Sequence, residues 1–108
     1  MTHPALRLDD TVHQRVRLGI LAVLREASRA DFAYLRDALE LTDGNLSRHI
    51  AVLEEAGLVE VEKAFEGKRT RTWVQATKAG RAALDAEMKA LRELMERIGG
   101  APRLASET

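Results

Sequence analysis

Between Asp9 and Ala27 the apolar positions Val12, Val16, Ile20, Val23 and Ala27 return every three or four residues, the period of a helix with one buried stripe. Asp9 or Asp10 offers a capping side chain at its start. Leu21 and Leu24 widen the stripe, so this helix is expected to touch its own core and a second surface. Asp31 opens a short second helix in which Phe32, Leu35 and Leu39 share a face. After Leu41, Thr42 caps a third helix that runs to Ala56 and stops at Gly57, a residue suited to the left-handed position after a helix. From Leu58 the period changes: Val59 and Val61 alternate with Glu60 and Glu62, and Thr72–Ala76 is a second β-prone run. Phe65–Arg69, with Gly67 inside it, predicts the turn of an antiparallel hairpin. Thr77 then caps a last helix reaching about Ile98, before Gly99 and Gly100. The pattern predicts a mainly α chain with a small β-hairpin (an α+β fold), in the order helix, helix, helix, hairpin, long helix.

Composition narrows this picture. A chain of 108 residues forms one domain, and with 4% aromatic residues its core must be aliphatic. The two prolines, Pro4 and Pro102, stand near the ends and break nothing between them. Residues 1–9 read as a flexible N-terminal arm, 10–98 as the folded domain and 99–108 as a flexible tail. The absence of cysteine excludes disulfides, thiolate metal sites and a cysteine nucleophile, and it fits a reducing cytoplasm. No apolar run approaches the roughly 20 residues of a membrane span, and no apolar leader opens the chain. The expectation is a cytoplasmic protein without membrane contact.

Charge changes it further. The formal net charge is zero, yet residues 1–62 carry 7 basic and 11 acidic side chains, while residues 63–81 carry six basic side chains and only Glu66. Neutrality thus hides one short cationic segment, and local charge governs a phosphate contact more than the total does. A solvated basic loop is the competing reading, and the third helix helps to separate the two. Its Leu46, Ile50 and Leu53 face the core, which leaves Gly44, Asn45, Ser47, Arg48, Ala51 and Glu55 outside. Small residues permit close approach to a DNA major groove, and Asn and Arg can each make paired contacts to base edges. Glu54 and Glu55 repel phosphates, so only the N-terminal half is expected to dock. Lys68, Arg69 and Arg71 on the hairpin would reach phosphates or the neighbouring minor groove. Trp73, a lone aromatic, fits packing that anchors the hairpin better than base stacking.

Other chemistry finds no foothold. His3, His13 and His49 are the three histidines and none has a partner at ligand spacing, so neither a metal nor a cofactor is implied; His49 reads as a boundary residue of its helix. There is no glycine-rich phosphate loop and no nucleophile elbow, and Ser28 and Ser47 read as helix-end and surface residues. An enzyme is not expected.

The stretch from Leu41 to Val59, with Thr42, Gly44, Asn45, Ser47 and Arg48 in its first turns, resembles the recognition-helix signature of MarR/ArsR-like winged-helix regulators. Phe65–Trp73 resembles the Gly-Lys/Arg-rich wing of the compact stand-alone members, and Ala76–Ala82 their junction with the last helix. The likeness covers about residues 10–97. It implies a winged helix-turn-helix with a long C-terminal dimerisation helix (78–98), and a homodimer that represses from a pseudo-palindromic operator. On it, Thr42, Gly44, Asn45, Ser47 and Arg48 fall on recognition-helix positions and Lys68, Arg69 and Arg71 on wing positions. Some relatives sense metals through Cys and His clusters, which this sequence lacks. The last helix also carries a heptad seam, Leu84, Met88, Leu91, Met95 and Ile98, expected to pair across a two-fold axis with help from Val12 and Val16 of the first helix. The expected partners are double-stranded DNA, a second copy and an unidentified small-molecule effector, for which no polar constellation marks a site. The alternative is a winged-helix protein–protein module without DNA binding, which would have no use for a basic wing.

Overall fold

The computed structural model describes residues 2–100; most of the expected C-terminal tail lies outside the described residues. Four helices, α1 (Arg15–Glu26), α2 (Phe32–Ala38), α3 (Asp43–Glu55) and α4 (Lys78–Met95), surround a three-stranded antiparallel sheet. Its strands are β1 (Ala30–Asp31), β2 (Val59–Glu66) and β3 (Arg69–Ala76), in the order β1-β3-β2. Asp31, Thr42 and Thr77 cap their helices as the sequence predicts, each side chain accepting from a backbone N–H three residues on. The apolar stripes converge on one core: Ile20, Leu21 and Leu24 of α1, Leu35 of α2, Leu46, Ile50 and Leu53 of α3, Val59, Val74 and Ala76 of the sheet, and Leu84 of α4.

Besides the short β1, which joins the predicted hairpin to make a third strand, three features differ from the pattern. The first helix starts at Arg15, capped by Gln14, and not at Asp9 or Asp10. The carbonyls of Asp10 and Thr11 accept instead from the Arg17 guanidinium. Residues 4–9, expected as a loose arm, are docked: Pro4–Arg7 is a 3-10 turn with Pro4 buried, Arg7 pairs with Glu93 of α4, and the Asp9 N–H donates to Glu87. The last helix is α-helical to Met95 and widens into a π turn over Glu96–Gly100.

The end of α3, the base of the hairpin and the start of α4 meet at one corner. Gly57 takes φ 77°, a conformation glycine adopts without a Cβ penalty. The next residue, Leu58, gives its carbonyl to the Thr77 N–H at 3.0 Å, while the Thr77 hydroxyl donates to the Gly57 carbonyl at 2.6 Å and accepts from the Gly80 N–H at 2.9 Å. The α4 backbone can come this close because Gly80 has no side chain; a Cβ there would lie 1.9 Å from the Leu58 oxygen. We expect Gly80→Ala to lower the unfolding free energy by about 3 kcal/mol or more, since backbone cannot step aside as a side chain can. Gly44→Ala, with nothing within 4 Å of its Cβ site, should instead be neutral or stabilising by up to about 1 kcal/mol. Urea midpoints of the two variants check this, and equal midpoints would contradict it.

Candidate nucleic-acid interface

α3 turns Leu46, His49, Ile50 and Leu53 inward and leaves Gly44, Ser47 and Arg48 exposed. Thr42 caps the helix by accepting from the Asn45 N–H at 3.1 Å. Asn45 is half-buried, and its Oδ1 accepts from Arg48 Nη2 at 2.6 Å. That bond holds a planar donor fork against an amide on one face, a pre-ordered arrangement for meeting base edges. Arg36, in the last turn of α2, reaches Asp37 at 3.0 Å and Asp43 at 2.9 Å, and both carboxylates hold its guanidinium even more firmly protonated than usual. The bridge to Asp43 ties α2 to the first turn of α3 across the helix-turn-helix.

The hairpin is built to project. Val59 and Val61 of β2 pair with Ala76 and Val74 of β3 at the core end, and Glu66 pairs with Arg69 at the tip. The two-residue turn has Gly67 first, at φ 64°, the position where a II′ turn needs glycine. Strand alternation puts Lys63, Phe65, Thr70 and Thr72 on the same face as Val59 and Val61, the face turned to α3. Between that face and α3 runs an open groove of about 350 Å³, lined by Ser47, Ala51 and Glu54 on one side and Lys63 and Thr72 on the other.

The predicted wing cations part company. Lys68 and Arg69 sit exposed at the tip, and among the described residues neither forms an ion pair. Arg71 is engaged: it lies 3.6 Å from Asp31 and 3.5 Å from Glu66, with its guanidinium 5.3 Å from the Trp73 ring centroid. Trp73 is half-buried, and Arg29 stacks on it at 3.9 Å, so the ring fastens the hairpin to the segment after α1. Arg71 is therefore a strand-bracing residue at least as much as a wing cation. Sequence reasoning missed Lys63, although the alternation of β2 already puts it on the α3-facing side.

Of the predicted dimer residues, Val12, Val16 and Leu84 belong to the protomer's own core, at 0, 8 and 4% exposure, and cannot reach a partner. Heptad spacing does not show this, because the docking of α1 and residues 9–14 onto α4 is not a local property. Met88 and Leu91 are half-buried, Met88 against that core, whereas Met95 and Ile98 stand 68 and 74% exposed. The 3-10 turn packed along α4 adds Leu6, at 76%.

Among the described residues there is no cluster of His, Cys, Asp and Glu able to hold a metal, and no helix long and apolar enough to cross a membrane. Three helices with a β-hairpin beside the third define the class: a winged helix, with the recognition helix and wing tip open to one side. The family model for the winged helix DNA-binding domain matches residues 16–95, and the chain belongs to that family. An uncharacterised protein of Methanocaldococcus jannaschii is 39% identical over 83 residues, 77% of this chain and 90% of its own. Among solved structures, a transcriptional regulator homologue from Pyrococcus horikoshii superposes with TM-score 0.79 at 33% identity, over 83% of this chain and 89% of its own. A mutant MarR from E. coli complexed with operator DNA shares the fold, with TM-score 0.63 and 23% identity over 72% of this chain and 55% of its own.

His49, 9% exposed, has its pKa pushed below 6.5 by burial and by the charges of Arg17 and Arg48. Near and below pH 6.5 the unfolded chain therefore binds a proton that the folded chain refuses, and stability falls as pH drops from there toward the folded pKa. Urea midpoints measured between about pH 7.5 and 5.5 should decline for the wild type and decline less for His49→Gln. Equal slopes would remove His49 as the cause.

Proposed function

We propose that this protein is a non-enzymatic, sequence-specific regulator of transcription that binds double-stranded DNA in the cytoplasm as a homodimer and represses from a pseudo-palindromic operator. The observation that carries the reading is the pairing of an ordered, outward Asn45–Arg48 couple on α3 with an exposed Lys68–Arg69 tip on the neighbouring hairpin, two elements whose Ser47, Ala51, Lys63 and Thr72 line one open groove. The first couple, with Thr42, Gly44 and Ser47 around it, supplies base-edge readers and close approach; the second supplies phosphate contacts one groove away. Arg71 contributes mainly by bracing the strand that carries the tip. DNA complexes of fold neighbours such as the E. coli MarR mutant support the same use of the fold.

Dimerisation is assigned to the end of α4, where Met95, Ile98 and Leu6 are exposed and Leu91 half-buried. An exposed apolar set of this kind is what a two-fold contact covers, and pairing there would set two recognition helices about 34 Å apart, one DNA turn. A small-molecule effector remains part of the proposal only as a partner of unstated chemistry.

Selection from a random duplex pool should return a palindrome. On that duplex Arg48→Ala should reduce discrimination against random DNA by about 1–3 kcal/mol. Lys68→Ala and Arg69→Ala should weaken every duplex alike and lower the salt slope by about one each. Wing variants that bind like the wild type at all salt concentrations would overturn the wing assignment, and a pool with no enriched sequence would favour a protein–protein module. Met95→Asp combined with Ile98→Asp should convert a dimer to a monomer in sedimentation; a wild-type monomer at micromolar concentration would sink the dimer.

A further inference from the structure

Among the described residues the most deeply buried charged side chain is Glu87, 1% exposed in the middle of α4, and no part of the proposed DNA contact uses it. Its two oxygens are both engaged by the segment before α1: Oε1 accepts from the Asp9 N–H at 3.1 Å and Oε2 from His13 Nδ1 at 2.5 Å. That segment is gripped from its other side by Arg17, whose Nε donates to the Thr11 carbonyl at 2.6 Å and whose Nη2 donates to the Asp10 carbonyl at 3.3 Å. The remaining Arg17 nitrogen, Nη1, lies 3.2 Å from Nδ1 of His49 on the recognition helix. A guanidinium has no acceptor, so His49 must present a bare Nδ1 lone pair. Hydrogen bonds thus run from the middle of α4 to the middle of α3.

The corner at Gly57 and Gly80 already joins the end of α3 to the start of α4. His49 lies about 12 Å along α3 from Gly57, and Glu87 about 10 Å along α4 from Gly80, at 1.5 Å per residue. A joint at one end leaves the angle between two helices soft, whereas a second attachment a turn or two away fixes it.

We propose that Glu87, Arg17 and His49 are positioning residues for DNA reading, forming a strut that sets the angle of the recognition helix to the dimerisation helix and hence the half-site spacing the dimer accepts. The inference rests on the DNA-binding dimer reading above. The strut also has a built-in release. The charged groups acting on the His49 ring are Arg17 from α1 and Arg48 from its own helix, both cations. A proton on Nδ1 abolishes the acceptor and adds a third positive charge, so the Arg17 contact opens in acid.

The test uses the full chain and the duplex it selects, beside duplexes with the half-sites one base pair closer and one farther, at about pH 7.5 and 5.5. The readout is the ratio of affinities for native and altered spacing, which a loss of folded protein does not change. The wild type should favour native spacing by about tenfold or more at the higher pH and by a smaller factor at the lower one, where more of the folded protein carries a proton on His49. Arg17→Met and Glu87→Gln should reduce the ratio to about threefold or less at both. Should Arg17→Met fail to fold, Arg17→Lys, which cannot span three acceptors, takes its place. His49→Gln keeps an acceptor oxygen that does not titrate, so it should retain the preference and lose its pH dependence. Unchanged ratios in the Arg17 and Glu87 variants, or a His49→Gln profile that follows the wild type, would overturn the strut. A wild type that selects no duplex would instead defeat the DNA-binding reading on which it rests.

Discussion

The close approach of α4 to the Leu58 carbonyl is the constraint from which the working parts of this molecule take their positions. Three elements change direction there within a few residues: the recognition helix ends, β2 leaves for the wing, and β3 returns to start α4. Gly57 makes the first turn sterically allowed, and Gly80 lets helix backbone sit where any Cβ would collide. Thr77 then satisfies the polar groups the turns expose, serving as both helix cap and cross-link to the Gly57 carbonyl. Wing and recognition helix consequently diverge from one hydrogen-bonded corner. Buried core leucines supply the stability; the corner supplies the geometry.

Electrostatics in this chain is a matter of which cations are committed. Of the arginines and lysines near the proposed DNA side, Arg36, Arg71 and Arg29 are held by carboxylates or by the Trp73 face, and Arg17 is spent on backbone carbonyls and His49. Lys68 and Arg69 stay at the tip. Arg48 is ordered by an amide and, among the described residues, pairs with no carboxylate, so its charge remains available. A chain of zero net charge can therefore present uncommitted cations on α3 and at the hairpin tip.

The last helix shows how one amphipathic pattern can serve two packings. Its first half, around Leu84 and Glu87, is covered by α1 and the docked N-terminal segment; its last turns remain open. A heptad seam describes spacing along a helix and says nothing of which neighbour fills each position. Here the protomer fills the near part itself, and only the far part stays exposed.

The sequence by itself determined the elements: the helix stripes, the Asp31, Thr42 and Thr77 caps, the glycine turns and the alternation of β2 are local patterns that follow from backbone geometry and side-chain period. It also determined which α3 residues face outward, since Leu46, Ile50 and Leu53 leave Gly44, Ser47 and Arg48 no other side. Only the tertiary structure decided what depends on segments far apart in the chain. The short β1 strand exists because Ala30 and Asp31 find Val74 and Trp73 across the fold. Arg71 is engaged because Asp31 arrives beside it. Val12, Val16 and Leu84 are internal because α1 folds back on α4, and Glu87 is buried because a segment more than 70 residues earlier brings its donors. A glutamate on an amphipathic helix reads as solvent-facing until those donors are in place, for burying its charge is unfavourable without them.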